Sequence, residues 1–173
     1  MKIAITGHTK GIGLATKNLL EKDYDVIGFS LSNGYNIRDY EKIINEVSDC
    51  DVFINNAYYE NYQNILAEKL FYLWKKQNKL IINIGTVQIE FEKADNKYRI
   101  NKSLLKKFSK DLQTHTKDKI CRVVLISPGA TDTPLTKDKD FFKMDPNEVA
   151  KAIKFSIRSE EHTSELQSRI RIS

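Results

Sequence analysis

Five short apolar segments, separated by stretches with helical periodicity, constrain the fold of this chain more than any other feature. The segments are KIAIT, DVIGFS, DVFIN, LIINIG and CRVVLIS, and each is typical of a strand buried on both faces. Helical spacing of apolar residues occupies the intervals at residues 12–22, 39–48, 60–77, 96–115 and 145–157. This alternation predicts an α/β fold with a doubly wound parallel sheet. The connection after the second strand is short, so a third strand near Asn36 and Ile37 would be vestigial.

The first strand runs directly into TGHTKGIG, residues 6–13, which predicts an anion-binding turn at the start of a helix. Backbone N–H groups at such a turn point at whatever lies above it. A triphosphate loop needs a lysine and a hydroxyl residue after its last glycine, whereas Gly13 is followed by two apolar residues. Gly7, Gly11 and Gly13 instead supply the small residues that a dinucleotide pyrophosphate requires. The loop alone leaves a simple strand-to-helix turn as an alternative.

Length and composition limit the class of protein. At 173 residues, 40% of them hydrophobic, the chain suffices for one well-buried domain. No apolar run approaches the ~18 residues of a membrane span, and no signal-peptide pattern is present, so we expect a cytoplasmic protein without a membrane partner. The net charge of +5 suits an anionic ligand. Cys50 and Cys121 have no metal-like spacing to His8 or His115, which predicts free thiols and no metal site.

Small and polar residues follow the ends of the later strands. INNAYY ends the third segment, INIGT places Thr86 after the fourth, and SPGATDTP follows the fifth. YRINK places Tyr98 and Lys102 on one face of a helix, with ~5–6 Å between their Cβ atoms. Because the carboxyl ends of parallel strands meet at one edge of a sheet, these motifs are predicted to face one crevice. Taken singly, the Tyr98 and Lys102 pair is also typical of a solvated helix, and Pro128 with Gly129 of a simple turn.

The order and spacing of these motifs resemble the short-chain dehydrogenase/reductase family over residues 1–157. The motifs are T-G-x-x-x-G-I-G, N-N-A, a hydroxyl residue, Y-x-x-x-K and P-G-x-x-x-T. The resemblance implies a Rossmann fold and an NAD(P)-dependent oxidoreductase that interconverts a small carbonyl compound and its alcohol, with a homo-oligomer as an open option. It implies that Tyr98 is the general acid or base, Lys102 its electrostatic partner and ribose ligand, and Thr86 the group that orients the substrate oxygen. Contacts with the cofactor are implied for Gly7, Thr9, Lys10, Gly11, Ile12, Gly13, Ser30, Asn36, Asn55, Asn56, Ala57, Tyr98, Lys102, Pro128, Gly129, Thr131 and Thr133.

The chemistry of the helical pair supports the implied roles. An unperturbed tyrosine has a pKa of ~10 and is a poor base near neutrality. A lysine ammonium one turn away favours the phenolate and so lowers the pKa of Tyr98. Tyr98 is then able to exchange a proton with the substrate oxygen, to which the Thr86 hydroxyl can also donate.

The chain departs from the family pattern at several positions. Thr86 stands where serine is usual, and Tyr58 stands where N-N-A usually continues with glycine, so a bulky ring lines or crowds the site. The asparagine that holds a proton-relay water in the family has Asn61 and Asn64 as alternative counterparts. The strand expected after the last helix is missing.

The resemblance predicts a preference for NADP(H) over NAD(H). An NAD-selective fold places a carboxylate about 20 residues after the glycines, but FSLSN, residues 29–33, contains no acid. Ser30 and Ser32 can donate to a 2′-phosphate, and Lys10 adds a cation as in NADP-preferring members of the family.

The sequence is also compatible with two other functions. One is a non-catalytic dinucleotide-binding sensor, which would have no need of the Tyr98 proton donor. The other is a nucleic-acid surface on KYRINKSLLKKFSK, which has basic and aromatic residues. The charges of this segment are spread around the helix without a companion stripe elsewhere, so we expect a solvated face and no nucleic-acid partner.

The end of the chain differs in kind from the rest. RSEEHTSELQS, residues 158–168, resembles the translation of a common high-throughput sequencing adapter. The resemblance implies that the native reading frame ends near Ile157. We therefore expect residues 1–157 to form the dinucleotide-binding domain and residues 158–173 to be a non-native tail.

Overall fold

The computed structural model describes residues 1–90, 96–114, 120–138, 140 and 142–170, and it is a three-layered α/β structure. The strands are β1 (Lys2–Thr6), β2 (Asp25–Phe29), β3 (Val52–Asn55), β4 (Leu80–Ile84) and β5 (Arg122–Ile126). The helices are α1 (Gly11–Leu20), α2 (Tyr40–Glu46), α3 (Tyr62–Trp74), α4 (Lys97–Thr114) and α5 (Pro146–Ile170). Short 3₁₀ helices cover Leu31–Asn33 and Val87–Glu90.

The five strands form one parallel sheet in the order β2-β1-β3-β4-β5. Alternate residues of each central strand enter two different cores, which explains why the segments are apolar throughout rather than alternating. One core joins the sheet to α2, α3 and α4 and includes Ala4, Phe53, Ile81, Leu70 and Trp74. The other joins it to α1 and α5 and includes Ile3, Ile5, Ile54, Ile82 and Ile153. The predicted doubly wound Rossmann architecture is confirmed.

The connection after β2 contains no strand among the described residues, and β2 is the edge of the sheet. Asn33 accepts a hydrogen bond from the Ser30 backbone N–H at 2.8 Å and donates to the Gly28 carbonyl at 2.7 Å. These bonds hold a 3₁₀ turn that ends at Gly34 in the left-handed region, with φ of 83°. The chain therefore bends over the end of the sheet, and Asn36 and Ile37 lie in irregular structure.

Helix α5 is longer than the sequence predicts. It continues from Pro146 through residue 157 to Ile170, across the segment that resembles an adapter. That segment contains neither glycine nor proline, so nothing in the backbone ends the helix at residue 157. The side chains that fix α5 to the sheet, Val149, Ile153 and Ile157, precede it.

The described residues also locate the two cysteines. Cys50 and Cys121 are buried free thiols. No group of metal-binding side chains occurs in the described ranges, whereas His115 lies outside them. None of the helices described is long and apolar enough to cross a membrane.

Candidate functional site

The glycine loop between β1 and α1 begins the candidate site. Gly7 and Gly11 have φ values of 70° and 53°, a region that other residues rarely adopt. A Cβ atom at Gly13 would lie 2.0 Å from the carbonyl oxygen of Gly7, so only glycine lets the helix pack this closely on the strand. Gly7 and Gly11 line the cleft above the loop, whereas Gly13 lies beneath it and has a packing role.

The end of β3 supports this loop from the side. The Asn56 side chain donates to the carbonyl oxygens of Thr6 at 2.9 Å and Gly7 at 3.2 Å. The Thr6 hydroxyl accepts from the backbone N–H groups of Asn56 and Ala57, both at 3.0 Å. Asn56 and Ala57 of the N-N-A motif therefore fix the first turn of the glycine loop, and both also line the cleft.

Asn55 corrects one sequence-based expectation. Its side chain does not line the cleft but is fully buried, where it donates to the Gln63 backbone carbonyl at 2.9 Å and to Asn83 Oδ1 at 3.0 Å. Successive side chains of a strand point to opposite faces, and Asn55 lies on the face covered by α3. Its role is to join β3, β4 and α3.

All the glycine-loop and strand-end motifs border one cleft of about 860 Å³ at the carboxyl edge of the sheet. Sixteen of the eighteen predicted site residues line it, all except Gly13 and Asn55: Gly7, Thr9, Lys10, Gly11, Ile12, Ser30, Asn36, Asn56, Ala57, Thr86, Tyr98, Lys102, Pro128, Gly129, Thr131 and Thr133.

The lining of the cleft is electrostatically one-sided. Its described lining residues include the cations Lys10, Arg38 and Lys102 and no aspartate or glutamate. Glycines allow a ligand to approach the backbone closely, and the cations attract negative charge that no carboxylate in the described lining would repel. Both properties fit an anionic dinucleotide. The described lining residues are therefore compatible with a dinucleotide cofactor.

The part of the cleft beside β2 contains hydroxyl, amide and guanidinium groups. Ser30 Oγ lies 2.8 Å from Ser32 Oγ and 3.1 Å from Asn33 Oδ1. Asn36 Oδ1 accepts from the backbone N–H of Arg38 at 3.0 Å. The Arg38 guanidinium carbon lies 5.4 Å from the centroid of the Tyr59 ring, within the range of a cation–π interaction.

Arg38 and Tyr59 are lining residues that the sequence analysis missed. From the sequence, only residues 29–33 and Lys10 were considered as partners of a 2′-phosphate, whereas the 3₁₀ turn and Gly34 bring the chain back to the cleft nine positions after Phe29. The signal in the sequence was S-x-S-N-G, which is typical of a tight turn.

The opposite part of the cleft contains the predicted catalytic residues. Thr86 is 6% exposed, and its hydroxyl oxygen accepts from the backbone N–H of Gln88 at 3.2 Å, which leaves the hydroxyl proton available to a ligand. Tyr98 and Lys102 lie one turn apart on α4, and both line the cleft. The Tyr58 ring meets the Tyr98 ring edge-on, with 4.8 Å between the centroids. Tyr58 therefore forms a wall of the catalytic part of the cleft.

Lys102 is buried, with only 4% of its surface exposed. Its Nζ donates to Gln63 Oε1 at 2.9 Å and to the Ile84 carbonyl at 2.8 Å. Nζ also lies 5.4 Å from the centroid of the Tyr58 ring and 5.7 Å from that of Tyr98. Burial lowers the pKa of Lys102 from its ordinary 10.5 to about 7.

The segment between β5 and α5 covers the glycine loop. A Cβ atom at Gly11 would lie 2.9 Å from Thr133 Cγ2. The Thr136 hydroxyl donates to the Thr131 carbonyl at 2.6 Å and accepts from the Thr133 backbone N–H at 3.2 Å. Thr131 pairs in turn with Met144 in an isolated bridge. These contacts hold the P-G-x-x-x-T motif over the start of α1.

The hydrogen bonds of Lys102 in the described part of the chain go to neither candidate for the relay asparagine. Asn64 donates to the Asn101 carbonyl at 3.0 Å, and Asn61 is the residue before α3. The residue of α3 that reaches Lys102 is Gln63, which the sequence analysis did not consider. In the sequence, only the position of Gln63 between Asn61 and Asn64 could have pointed to a contact with Lys102.

Comparison with solved structures places this architecture among known folds. A short-chain dehydrogenase of Burkholderia cenocepacia in complex with NADP superposes with a TM-score of 0.75 at 15% identity, over 91% of this chain and 84% of that one. A 3-alpha-hydroxysteroid dehydrogenase of a Pseudomonas species, complexed with NADH, gives a TM-score of 0.71 at 20% identity over 90% and 89%. The chain therefore has the short-chain dehydrogenase/reductase fold.

Two relatives found by sequence are similar to part of this chain. An uncharacterised oxidoreductase of Staphylococcus epidermidis is 27% identical over 144 residues, which are 79% of this chain and 58% of that protein. Another from Staphylococcus saprophyticus is 31% identical over 88 residues, 49% of this chain and 38% of that protein. This chain thus spans less than two thirds of the length of these relatives. No protein-family model matches it.

Proposed function

From this fold we propose that the protein is an NAD(P)-dependent oxidoreductase that interconverts a small carbonyl compound and its alcohol. The observation that carries the proposal is the convergence of Thr86, Tyr98 and Lys102 on one part of a cleft whose other part is the glycine loop. Thr86 follows β4, whereas Tyr98 and Lys102 lie on α4, so the group is assembled from two separate parts of the chain. The names of the structural neighbours, which are dehydrogenases bound to NADP or NADH, agree with it.

Each residue of the convergent group has a distinct task. Tyr98 exchanges a proton with the substrate oxygen, and Thr86 holds that oxygen through its hydroxyl. Positive charge on Lys102 favours the phenolate of Tyr98. The nicotinamide, when bound, supplies or accepts the hydride.

The glycine loop and its neighbours hold the dinucleotide in this proposal. Gly7 and Gly11 line the part of the cleft beside the start of α1 where the pyrophosphate would lie, and Pro128 and Thr133 border the same space. The absence of carboxylates from the described lining favours a phosphorylated ribose, and Lys10, Arg38 and the Ser30 hydroxyl are its candidate partners.

The first experiment measures cofactor binding. Titration of NADPH and NADH, followed by calorimetry, is expected to show tighter binding of NADPH. Lys10→Ala is expected to remove most of the difference and Arg38→Ala part of it, whereas Lys69→Ala, which changes an exposed lysine on α3, should leave it intact. Equal or tighter binding of NADH by the unmodified protein would overturn the proposed preference.

The second experiment measures turnover. A screen of aldehydes and ketones is followed through the loss of reduced-nicotinamide absorbance. With any substrate found, Tyr98→Phe should keep cofactor affinity while turnover falls by roughly 10² or more, the usual scale for a general acid. Turnover at the original rate would refute the role of Tyr98, and tight cofactor binding without any turnover would identify a sensor instead.

A further inference from the structure

The amine of Lys102 donates hydrogen bonds to two neutral oxygens and lacks a counter-ion among the described residues. Gln63 Oε1 and the Ile84 carbonyl accept its hydrogen bonds, and the ion pairs in the described part of the chain do not include it. The titratable groups that face it are the phenols of Tyr58 and Tyr98. A buried amine held in this way has its position fixed and its charge uncompensated.

Gln63 is itself held in one orientation. It is 1% exposed, and its Nε2 donates to the Asn55 carbonyl at 2.8 Å and to the Ile84 carbonyl at 3.2 Å. A reversed amide would place Oε1 against these two carbonyl oxygens, which would be repulsive. Only the observed orientation presents an acceptor to Lys102.

The support for Gln63 continues into the sheet and α4. Asn55 Nδ2 donates to the Gln63 backbone carbonyl and to Asn83 Oδ1, and Asn83 Nδ2 donates to Ser109 Oγ at 3.0 Å. Asn55, Asn83 and Ser109 are all fully buried. These buried hydrogen bonds fix the Gln63 backbone against the end of β3 and connect β3 and β4 to α4.

We propose that Gln63 is the positioning residue for Lys102: its side-chain carbonyl holds the amine at the base of the cleft and leaves its charge to be stabilised by what binds there. The inference rests on the proposed function for the identity of the bound group, an anionic dinucleotide. The role of Gln63 on the amine itself is independent of that identity. A residue that only packed in the core would need no hydrogen-bond acceptor facing Lys102, whereas a residue that positions the amine needs one.

The test titrates Lys102 in the cofactor-free protein by NMR of ¹³C-labelled lysine side chains, with the signal assigned through Lys102→Met. Gln63→Met keeps the length of the side chain but removes the acceptor, so the titration midpoint of Lys102 should fall. Gln63→Glu supplies a carboxylate at hydrogen-bonding distance, so the midpoint should rise by at least ~1 pH unit. Gln77→Glu, which adds the same charge to an exposed residue beyond the end of α3, is the matched control and should leave the midpoint in place.

Opposite shifts in the two Gln63 variants support the positioning role, and the fall in Gln63→Met is the decisive part, because a purely structural role would leave that midpoint unchanged. Unchanged midpoints, or shifts of the same sign, would overturn it. If Gln63→Met fails to fold, as judged by urea unfolding, Gln63→Leu, which also lacks an acceptor, takes its place. Calorimetric titration of NADPH is run in parallel: absence of binding by the unmodified protein would refute the proposed function, while the NMR midpoints would still test Gln63.

Discussion

Raising the pH from 7 to 9 is expected to stabilise the folded protein through Lys102. In the unfolded chain this lysine keeps its proton up to about its ordinary pKa of 10.5, whereas in the folded protein burial lowers the pKa to about 7. Between these values the unfolded state binds more protons, so the free energy of unfolding rises with pH. Below pH 7 both states are protonated, and the cost of burying the charge is present in full.

The size of the effect follows from the two pKa values. Each pH unit between them contributes at most about 1.4 kcal/mol per proton. Since Lys102 is already half deprotonated at pH 7 in the folded state, the gain between pH 7 and pH 9 is about 2 kcal/mol. Lys102 is 4% exposed, so solvent does not screen this term as it would at the surface.

The assay is urea unfolding of the unmodified protein and of Lys102→Met at pH 7, 8 and 9 without cofactor. Groups distant from Lys102 contribute equally to both proteins, so the difference between them reports Lys102 together with the two phenols that face it. Lys69→Met, at an exposed position on α3, should follow the unmodified protein. Parallel curves for the unmodified protein and Lys102→Met would refute the reasoning, because they would show that Lys102 is charged and well solvated in the folded state.

Three further predictions concern packing. Gly13→Ala should destabilise the protein by at least ~2 kcal/mol in urea unfolding, because the new Cβ atom would meet a backbone oxygen. Gly34→Ala, where the Cβ atom would enter open space but φ is positive, should cost only ~1 kcal/mol. Equal losses of stability in the two variants would contradict this prediction. Cys50 should resist iodoacetamide in mass spectrometry until urea unfolds the chain, because burial removes access and raises its pKa to about 11; rapid labelling of the native protein would contradict this. Deletion of residues 159–173 should change the Tm little, in keeping with a domain that ends near residue 157, and a large drop would show that this segment packs.

The local pattern of the chain was sufficient to predict the layers and the edge at which the site lies. Apolar periodicity identified all five strands, and the parallel connection of strands through helices then required their carboxyl ends to meet. The glycine loop and the Tyr98 and Lys102 pair were predictable for the same reason. Their chemistry depends on spacings of a few residues, which backbone geometry converts directly into a turn or a helix face.

Contacts between distant parts of the chain were decided by the tertiary structure. Gln63 and Lys102 are 39 positions apart, and they meet because α3 and α4 pack side by side on the same face of the sheet. Asn55 belongs to a motif that reads as cofactor-binding, but the pleat of β3 turns its side chain into the core. Arg38 reaches the cleft only because a turn at Gly34 folds the chain back. Local residue patterns set which elements form and what chemistry they contain. Packing sets which side chains share a space, because burial and hydrogen-bond satisfaction are properties of the assembled core.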